Sequence, residues 1–153
     1  MIDPTNKNQI TRYDRSYAEL EEFALFTMLV QGAPAGRTAK ALSDILEEYC
    51  VEGSRKHAGP FYQFGYIINH PNLDLAEILN AFGIRFHNQK AERITKFLKC
   101  PINLATCTFE ELLAMPGWGR TSVNFFLLNS RKNYYGAVLD THILKYLKAN
   151  GVK

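Results

Sequence analysis

The stretch MPGWGRTS at residues 115–122 decides how this chain is interpreted, because it places a proline and two glycines in one short connection. Glycine adopts positive φ angles and leaves neighbouring amides uncovered, so P-G-x-G between two helical runs predicts a tight helix–helix turn. The second helix then begins with free N–H groups at the positive end of its dipole, where Arg120 adds a charge. Such an end favours phosphate, although a plain glycine turn would explain the same residues.

The rest of the chain predicts helices almost throughout. Thr108 and Glu111 match a capping box that opens the first helix of the turn, and the second runs from Arg120 to about Ser130, so the hairpin spans 109–130. Elsewhere, helical spacing of apolar residues predicts helices over 16–31, 36–49, 74–83, 88–99 and 141–149. Only 50–73 lacks a regular pattern. We therefore expect one all-α domain over residues 1–153.

Composition excludes several classes of protein. The chain has 153 residues and 46% hydrophobic content, enough for a core, and no apolar run approaches the roughly 18 residues of a membrane span. Its N-terminus is polar and lacks a signal-peptide core, so we expect a cytoplasmic protein, associated with the nucleoid if prokaryotic. Cys50, Cys100 and Cys107 match no zinc or iron–sulfur spacing and are expected to be reduced thiols.

Charge is distributed unevenly along the chain. Residues 1–60 hold seven Lys/Arg and nine Asp/Glu, a net charge of −2, whereas residues 61–153 hold eleven and six, a net charge of +5. The basic part contains the hairpin. This asymmetry favours a polyanionic partner.

Beyond these patterns, the sequence resembles a known family. ELLAMPGWGRTSVNFFLLNS followed by AVLDTHILKYL is similar to the helix-hairpin-helix DNA glycosylases, which include endonuclease III, adenine glycosylase and the 8-oxoguanine glycosylases. FALFTMLVQGAPAGRTAKAL resembles the family's early helix pair, and AFGIRFHNQKAERI is most like the 8-oxoguanine branch. The resemblance implies an endonuclease III-like helical bundle, with a small second lobe from the chain termini, that acts in base excision repair of DNA damage.

The resemblance also implies a reaction. Asp140 stands where the family's catalytic aspartate stands, and a carboxylate there stabilises the positive charge that develops on the sugar and activates a water. From its position alone, Asp140 could equally be the N-cap of its helix. The expected partner is double-stranded DNA with a lesion or mismatch. The protein is expected to be a monomer and to have no membrane partner.

One departure from the family determines the type of glycosylase. Bifunctional members carry a lysine at the position of Thr121, and that lysine cleaves the strand through a Schiff base. Thr121 therefore implies a monofunctional enzyme, in conflict with the 8-oxoguanine branch, whose members normally keep the lysine. Two alternatives stay open: a strand-nicking lyase that uses another lysine, and a non-catalytic DNA-binding module. 8-Oxoguanine is the first expectation for the excised base.

Further residues receive roles through the resemblance. Gln31 is expected to fill the space left by a flipped base, and His142 to orient its helix near the DNA. The residues of the turn are expected to contact the sugar–phosphate backbone of the DNA. They are Pro116, Gly117, Trp118, Gly119, Arg120 and Thr121. Trp118 is expected to be exposed at the tip, to lie against the DNA or to pack into the core.

An aromatic run supplies candidates for a base pocket, and the hairpin supplies candidates for a cation site. The pocket candidates are Phe61, Tyr62, Gln63 and Phe64, for which an aromatic core patch is the alternative. A monovalent cation could be held by the backbone carbonyls of Met115, Gly117 and Gly119. The chain lacks the four-cysteine loop of some relatives, so we expect no iron–sulfur cluster and no other cofactor.

Overall fold

The computed structural model describes residues 2–6, 10–50, 59–132 and 134. Across these ranges the chain forms seven helices and no strand, which confirms the all-α class. The helices are α1 Tyr17–Leu29, α2 Ala35–Glu48, α3 Pro60–Asn69, α4 Leu75–Ala81, α5 His87–Leu98, α6 Phe109–Leu113 and α7 Arg120–Ser130. None of them is long and apolar enough to cross a membrane.

Helix α1 lies at the centre of the fold and packs against α2, α3, α5 and α7. Its sequence explains this position, because Leu20 and all seven residues from Phe23 to Leu29 are buried. The second half of the helix is therefore buried on every side, which is stable in water only when other elements surround it. Ser16 begins the helix with a capping box that includes Glu19, and Gly32, at φ +66°, turns the chain after it ends.

Local signals account for both ends of α4 and for the start of α6. The Asp74 carboxylate accepts hydrogen bonds from the amides of Ala76 and Glu77, at 2.9 and 3.5 Å, and so caps α4. Gly83, at φ +83°, turns the chain just after that helix. The predicted capping box of Thr108 at α6 is also present. These signals act within one turn of helix, which is why the sequence predicts them well.

The prediction of irregular structure over 50–73 was wrong for part of that stretch, because residues 60–69 form α3. Pro60 occupies the first turn of this helix, where its missing N–H costs nothing. Pro60, Phe64 and Ile67 then face the core, at the spacing of a helical stripe. Gly65 and the aromatic neighbours obscured this pattern in the sequence.

The segment before α1 packs against the C-terminal end of α7. The amide of Arg12 donates to the carbonyl of Asn129 at 3.0 Å, and the hydroxyl of Thr11 donates to the Asn129 side chain at 2.8 Å. The N-terminal segment is therefore tied to the far end of the hairpin. A second lobe that also uses residues 135–153 stays a prediction, because those residues lie outside the described ranges.

Candidate nucleic-acid interface

The two glycines of the turn between α6 and α7 have different surroundings. Gly117 has φ +83°, and a Cβ atom there would lie 2.9 Å from both Arg93 Cβ and Met28 Cε. Those contacts are too close for a real side chain, so the absence of one at Gly117 lets the turn pack against α1 and α5. The inner half of the turn is therefore specified by packing and by backbone conformation.

Gly119 lies on the outer half of the same turn. It is the N-cap of α7, at φ −107°, and a Cβ atom added there would have no neighbour within 4 Å. Its missing side chain leaves the first turn of α7 without a side-chain cap. Residues 119–121 are all exposed, and they include Arg120. Backbone amides, the helix dipole and a guanidinium thus face solvent together, an arrangement that suits a phosphate.

Gln31 joins the loop after α1 to this turn. Its side-chain amide donates to the hydroxyl of Ser122 at 2.9 Å and to the carbonyl of Gly117 at 3.4 Å. The side chain is half-buried and is held beside the start of α7. This places Gln31 where a residue could act next to bound DNA, although its amide nitrogen already has two partners within the protein.

Trp118 occupies the core and not the exposed tip. Its residue is 6% exposed, and its ring lies 5.7 Å from the rings of both Phe97 and Phe126, measured between centroids. Of the three placements considered for Trp118, packing into the core is correct, and a buried indole is not available for contact with DNA. The tight turn at Gly117 directs the ring of Trp118 inward, where the ring packs the turn against α5 and α7.

The three carbonyls predicted to hold a monovalent cation each already accept a hydrogen bond. Met115 accepts from the amide of Trp118 at 3.3 Å, Gly117 accepts from Gln31, and Gly119 accepts from the amide of Val123 at 2.9 Å. A carbonyl oxygen has a second lone pair, so the cation site stays a prediction. Among the residues that the structure describes, no group of three or more His, Cys, Asp or Glu could hold a metal ion.

Phe86 is a candidate that the sequence patterns did not indicate. It is 59% exposed, and at φ 56° it is the one described residue other than glycine with a positive φ. Such a backbone conformation costs about 1–2 kcal/mol in a residue with a Cβ. The ring lies against Gly32, since a Cβ on that glycine would be 3.0 Å from Phe86 Cε2. An exposed ring therefore lies beside Gln31. The one signal in the sequence that could have indicated Phe86 is its position as an aromatic residue among polar neighbours.

Basic residues surround this ring and the turn. The Cβ atom of Arg93 lies beside Gly117. Arg85 and Arg93 are both close enough to Lys90 to lower its pKa. Lys90 itself is 2% exposed and donates to the carbonyl of Leu29 at 2.6 Å, so it caps the C-terminal end of α1. Burial, assisted by the two arginines, lowers the pKa of Lys90. The exposed charge on this face thus comes from arginines, and the lysine is a structural group.

The four candidates for a base pocket do not form one pocket wall. Phe64 is fully buried, and Phe61 packs edge-on against Phe97 at 5.5 Å between ring centroids. The Gln63 amide donates to the carbonyls of Leu46 and Tyr49, at 2.6 and 3.1 Å.

Three of the four candidates are therefore core or capping residues, as the alternative of an aromatic core patch anticipated. Gln63 satisfies carbonyls at the end of α2 that no helix bond can reach. Only Tyr62, which is 51% exposed, is open to solvent. A helix sends successive side chains in different directions, so four neighbours in sequence cannot line one wall.

The predicted catalytic Asp140 and its neighbour His142 lie outside the described residues. Comparison with known proteins adds no assignment, because no family model, curated protein or solved structure matches the chain.

Proposed function

We propose that the chain is a DNA glycosylase of the helix-hairpin-helix type, which hydrolyses the bond between a damaged or mismatched base and its sugar. The observation that supports this best is the outer face of the hairpin turn. There, the uncapped first turn of α7, Arg120 and the bare Gly119 offer donors and positive charge to one phosphate. Phosphate contacts of this kind position a protein on DNA without reading its sequence.

The neighbouring face supports an enzyme that extrudes a base from the duplex. Such an enzyme must fill the space that the base leaves, and it does so with side chains inserted into the stack. Phe86 offers an exposed ring, and Gln31 offers a polar side chain next to it and next to the turn. The two groups and the phosphate site are contiguous, so one duplex could engage all three.

The proposed reaction uses water and Asp140 and has no covalent intermediate. Thr121 is exposed at the start of α7 where bifunctional relatives have a lysine. Of the lysines that the structure describes near the hairpin, Lys90 is buried on the carbonyl of Leu29, and Lys132 follows the other end of α7. Neither lies where an amine could attack a sugar held at the turn, which supports the monofunctional reaction over the lyase.

The test is a panel of duplexes, each with one lesion or mismatch, incubated with the full chain and then treated with or without alkali. We expect strand cleavage only after alkali, with 8-oxoguanine as the first substrate to try. Cleavage without alkali, together with a covalent adduct trapped by borohydride, would support the lyase instead.

Variants separate catalysis from binding. Asp140→Asn should lower excision by at least about a hundredfold, as expected when one preorganised electrostatic group is lost, and should leave DNA affinity nearly unchanged. Asp44→Asn is the matched control, because Asp44 forms only a surface ion pair with Lys40 and should retain full activity. No excision on any lesion, with DNA binding intact, would leave the chain as a binding module and refute the enzyme proposal.

A further inference from the structure

A second feature of the molecule lies at the opposite end of α7 from the hairpin turn. The helix has 11 residues, so its two ends are about 15 Å apart along its axis. A cleft of about 510 Å³ opens there, between the segment before α1, the loop after α5 and the residues that follow α7. Clefts of roughly 300–1,000 Å³ are the usual size for small-molecule ligands, and one phosphate would occupy only part of this one.

The lining of this cleft is basic, and the carboxylates that act on Arg15, which are Asp14, Glu19 and Glu22, lie outside that lining. Arg15, Arg131 and Lys132 line it, and its lining includes no Asp or Glu. Burial, with repulsion from the nearby Arg12, lowers the pKa of Arg15 to about 10, so its guanidinium is still charged at neutral pH. An anion in the cleft would offset part of the cost of holding these cations together.

The arginine side chains are also held in fixed positions by backbone carbonyls. The Arg131 guanidinium donates to the carbonyls of Leu104, at 3.1 Å, and Cys107. Arg15 donates to the carbonyls of Ile10 and Asn129, at 2.7 and 2.8 Å, and its guanidinium lies over a core phenylalanine ring. Fixed guanidinium groups lose little entropy when they bind an anion.

Two buried polar atoms at the cleft lack a partner in the part of the chain that the structure describes. They are the hydroxyl of Ser130, a residue only 8% exposed, and Nε of Arg131. A buried donor without a partner costs about 1–3 kcal/mol, so such groups call for an explanation. Both residues line the cleft, so a small shift of either side chain would let a group seated in the cleft become the partner.

The remaining walls are aromatic and aliphatic. Tyr13, which is 51% exposed, and Tyr134 line the cleft together with Leu20 and Leu104. The Tyr134 hydroxyl donates to the Asn124 side chain at 2.8 Å, which fixes its ring. Flat rings stack on aromatic side chains and on guanidinium planes, so this lining accepts a heterocycle as well as an anion.

We propose that this cleft binds a nucleotide-sized phosphate ester, with the phosphate on Arg131 and Lys132 and the base against the tyrosine walls. The site does not depend on the hairpin or on the proposed glycosylase reaction. Two sources carry this chemistry, a free mononucleotide and the 5′-phosphorylated end of a DNA strand.

Calorimetric titration of the full chain tests the proposal with dGMP, deoxyguanosine and inorganic phosphate. We expect dGMP to bind at least about tenfold more tightly than either fragment, because only dGMP uses both the cations and the apolar walls. A 5′-phosphorylated trinucleotide that binds more tightly than dGMP would assign the cleft to strand ends, and weaker binding would assign it to free nucleotides. Equal affinity for dGMP and phosphate, or no saturable dGMP binding at millimolar concentration, would overturn the proposal.

Variants show whether the binding occurs in this cleft. Lys132→Glu should weaken dGMP about tenfold, and Ser130→Ala about fivefold, without loss of the folded state, because Lys132 is exposed and the alanine is nearly isosteric. Lys40→Glu, on α2, makes the same charge change and should have no effect. Arg120→Glu, at the hairpin, tests whether the phosphate of dGMP binds at the turn instead of in the cleft. Affinity that responds to Arg120→Glu and ignores Lys132→Glu and Ser130→Ala would refute this site.

Discussion

The inner and outer halves of the hairpin turn contain the same residue type for opposite reasons. Gly117 is enclosed by Arg93 and Met28 and has a positive φ, so it serves packing. Gly119, two residues later, has ordinary φ and open space where a side chain would be, so it is not required by the fold. The proposed phosphate contact would use the open space at Gly119, which lies at an exposed helix start with an arginine beside it.

The largest expected effect tests the inner half. Gly117→Ala should lower the free energy of unfolding by about 2–4 kcal/mol, from the cost of left-handed backbone and from the clash with Arg93 and Met28. Urea denaturation measures this change. Gly119→Ala is the matched control and should cost less than about 1 kcal/mol, because only the preference for glycine over alanine at an N-cap is lost. Equal losses for the two variants would remove the distinction between the halves.

The second effect concerns Phe86, which extends the outer face. Phe86→Asn should weaken binding to lesion-containing DNA by about 1–3 kcal/mol, the usual value of one ring stacked on bases. Stability should change by no more than about 1 kcal/mol, because asparagine tolerates the left-handed conformation and the lost ring is 59% exposed.

The matched control for Phe86 is Tyr66→Asn. Tyr66 is also an exposed aromatic residue, at 43%, and it lies on α3 and contacts His70. Fluorescence anisotropy with the same duplex should show unchanged affinity for this variant. If both variants lose affinity equally, Phe86 has no special place in the interface.

A third and smaller effect sharpens the assignment of the outer half. Gly119→Asp should weaken DNA binding about tenfold while it raises stability by a few tenths of a kcal/mol, because the new carboxylate caps α7 and competes with a phosphate for its amides. Gly119→Asn caps the helix without the charge, so it should stabilise similarly and lose less affinity. Binding measured against salt concentration should show a shallower dependence for the aspartate variant. Unchanged affinity in Gly119→Asp would place the phosphate elsewhere.

The smallest expected effect is a pH dependence of stability that arises on α5. This helix also has a buried and an exposed basic residue, Lys90 and Arg93. The pKa of Lys90 is lowered from its usual 10.5, so the unfolded chain binds more protons than the folded one between the lowered pKa and 10.5. Stability from this group therefore rises with pH across that window and falls as pH drops through it.

Comparison with Lys90→Met measures this pH dependence. The free energy of unfolding of the wild type, minus that of the variant, should increase from pH 7 to pH 10. A difference in unfolding free energy that does not depend on pH would mean that burial does not lower the pKa of Lys90. The charged ammonium donates a stronger hydrogen bond to Leu29 than the neutral amine does, so this contact opposes part of the effect of burial.

Signals that act within one helical turn could be predicted from the sequence, and those that depend on distant partners could not. The cap formed by Thr108 was predicted and is present, because the donor and acceptor are three residues apart. Gln63 looked like a residue that could read a base. Its true partners, at the end of α2, are 14 and 17 residues away in sequence, and nothing local points to them.

The candidate site divides in the same way. The turn and its arginine were predicted, whereas the burial of Trp118 was one of three open placements and Phe86 was missed. The left-handed conformation of Phe86 reflects how the loop before α5 meets Gly32, which is a tertiary contact. The roles of Asp140 and His142 stay predictions, since those residues are outside the described ranges.

The sequence by itself determined that the chain is helical, where most helices begin and end, and that two glycines connect the last two described helices. Those properties follow from hydrophobic spacing, caps and backbone preferences, all of which are local. Only the tertiary structure decided which glycine packs inward and which faces solvent, and which basic residues surround one cleft. Identical residues acquire different surroundings when distant helices pack against them, and no short-range rule of the chain contains that information.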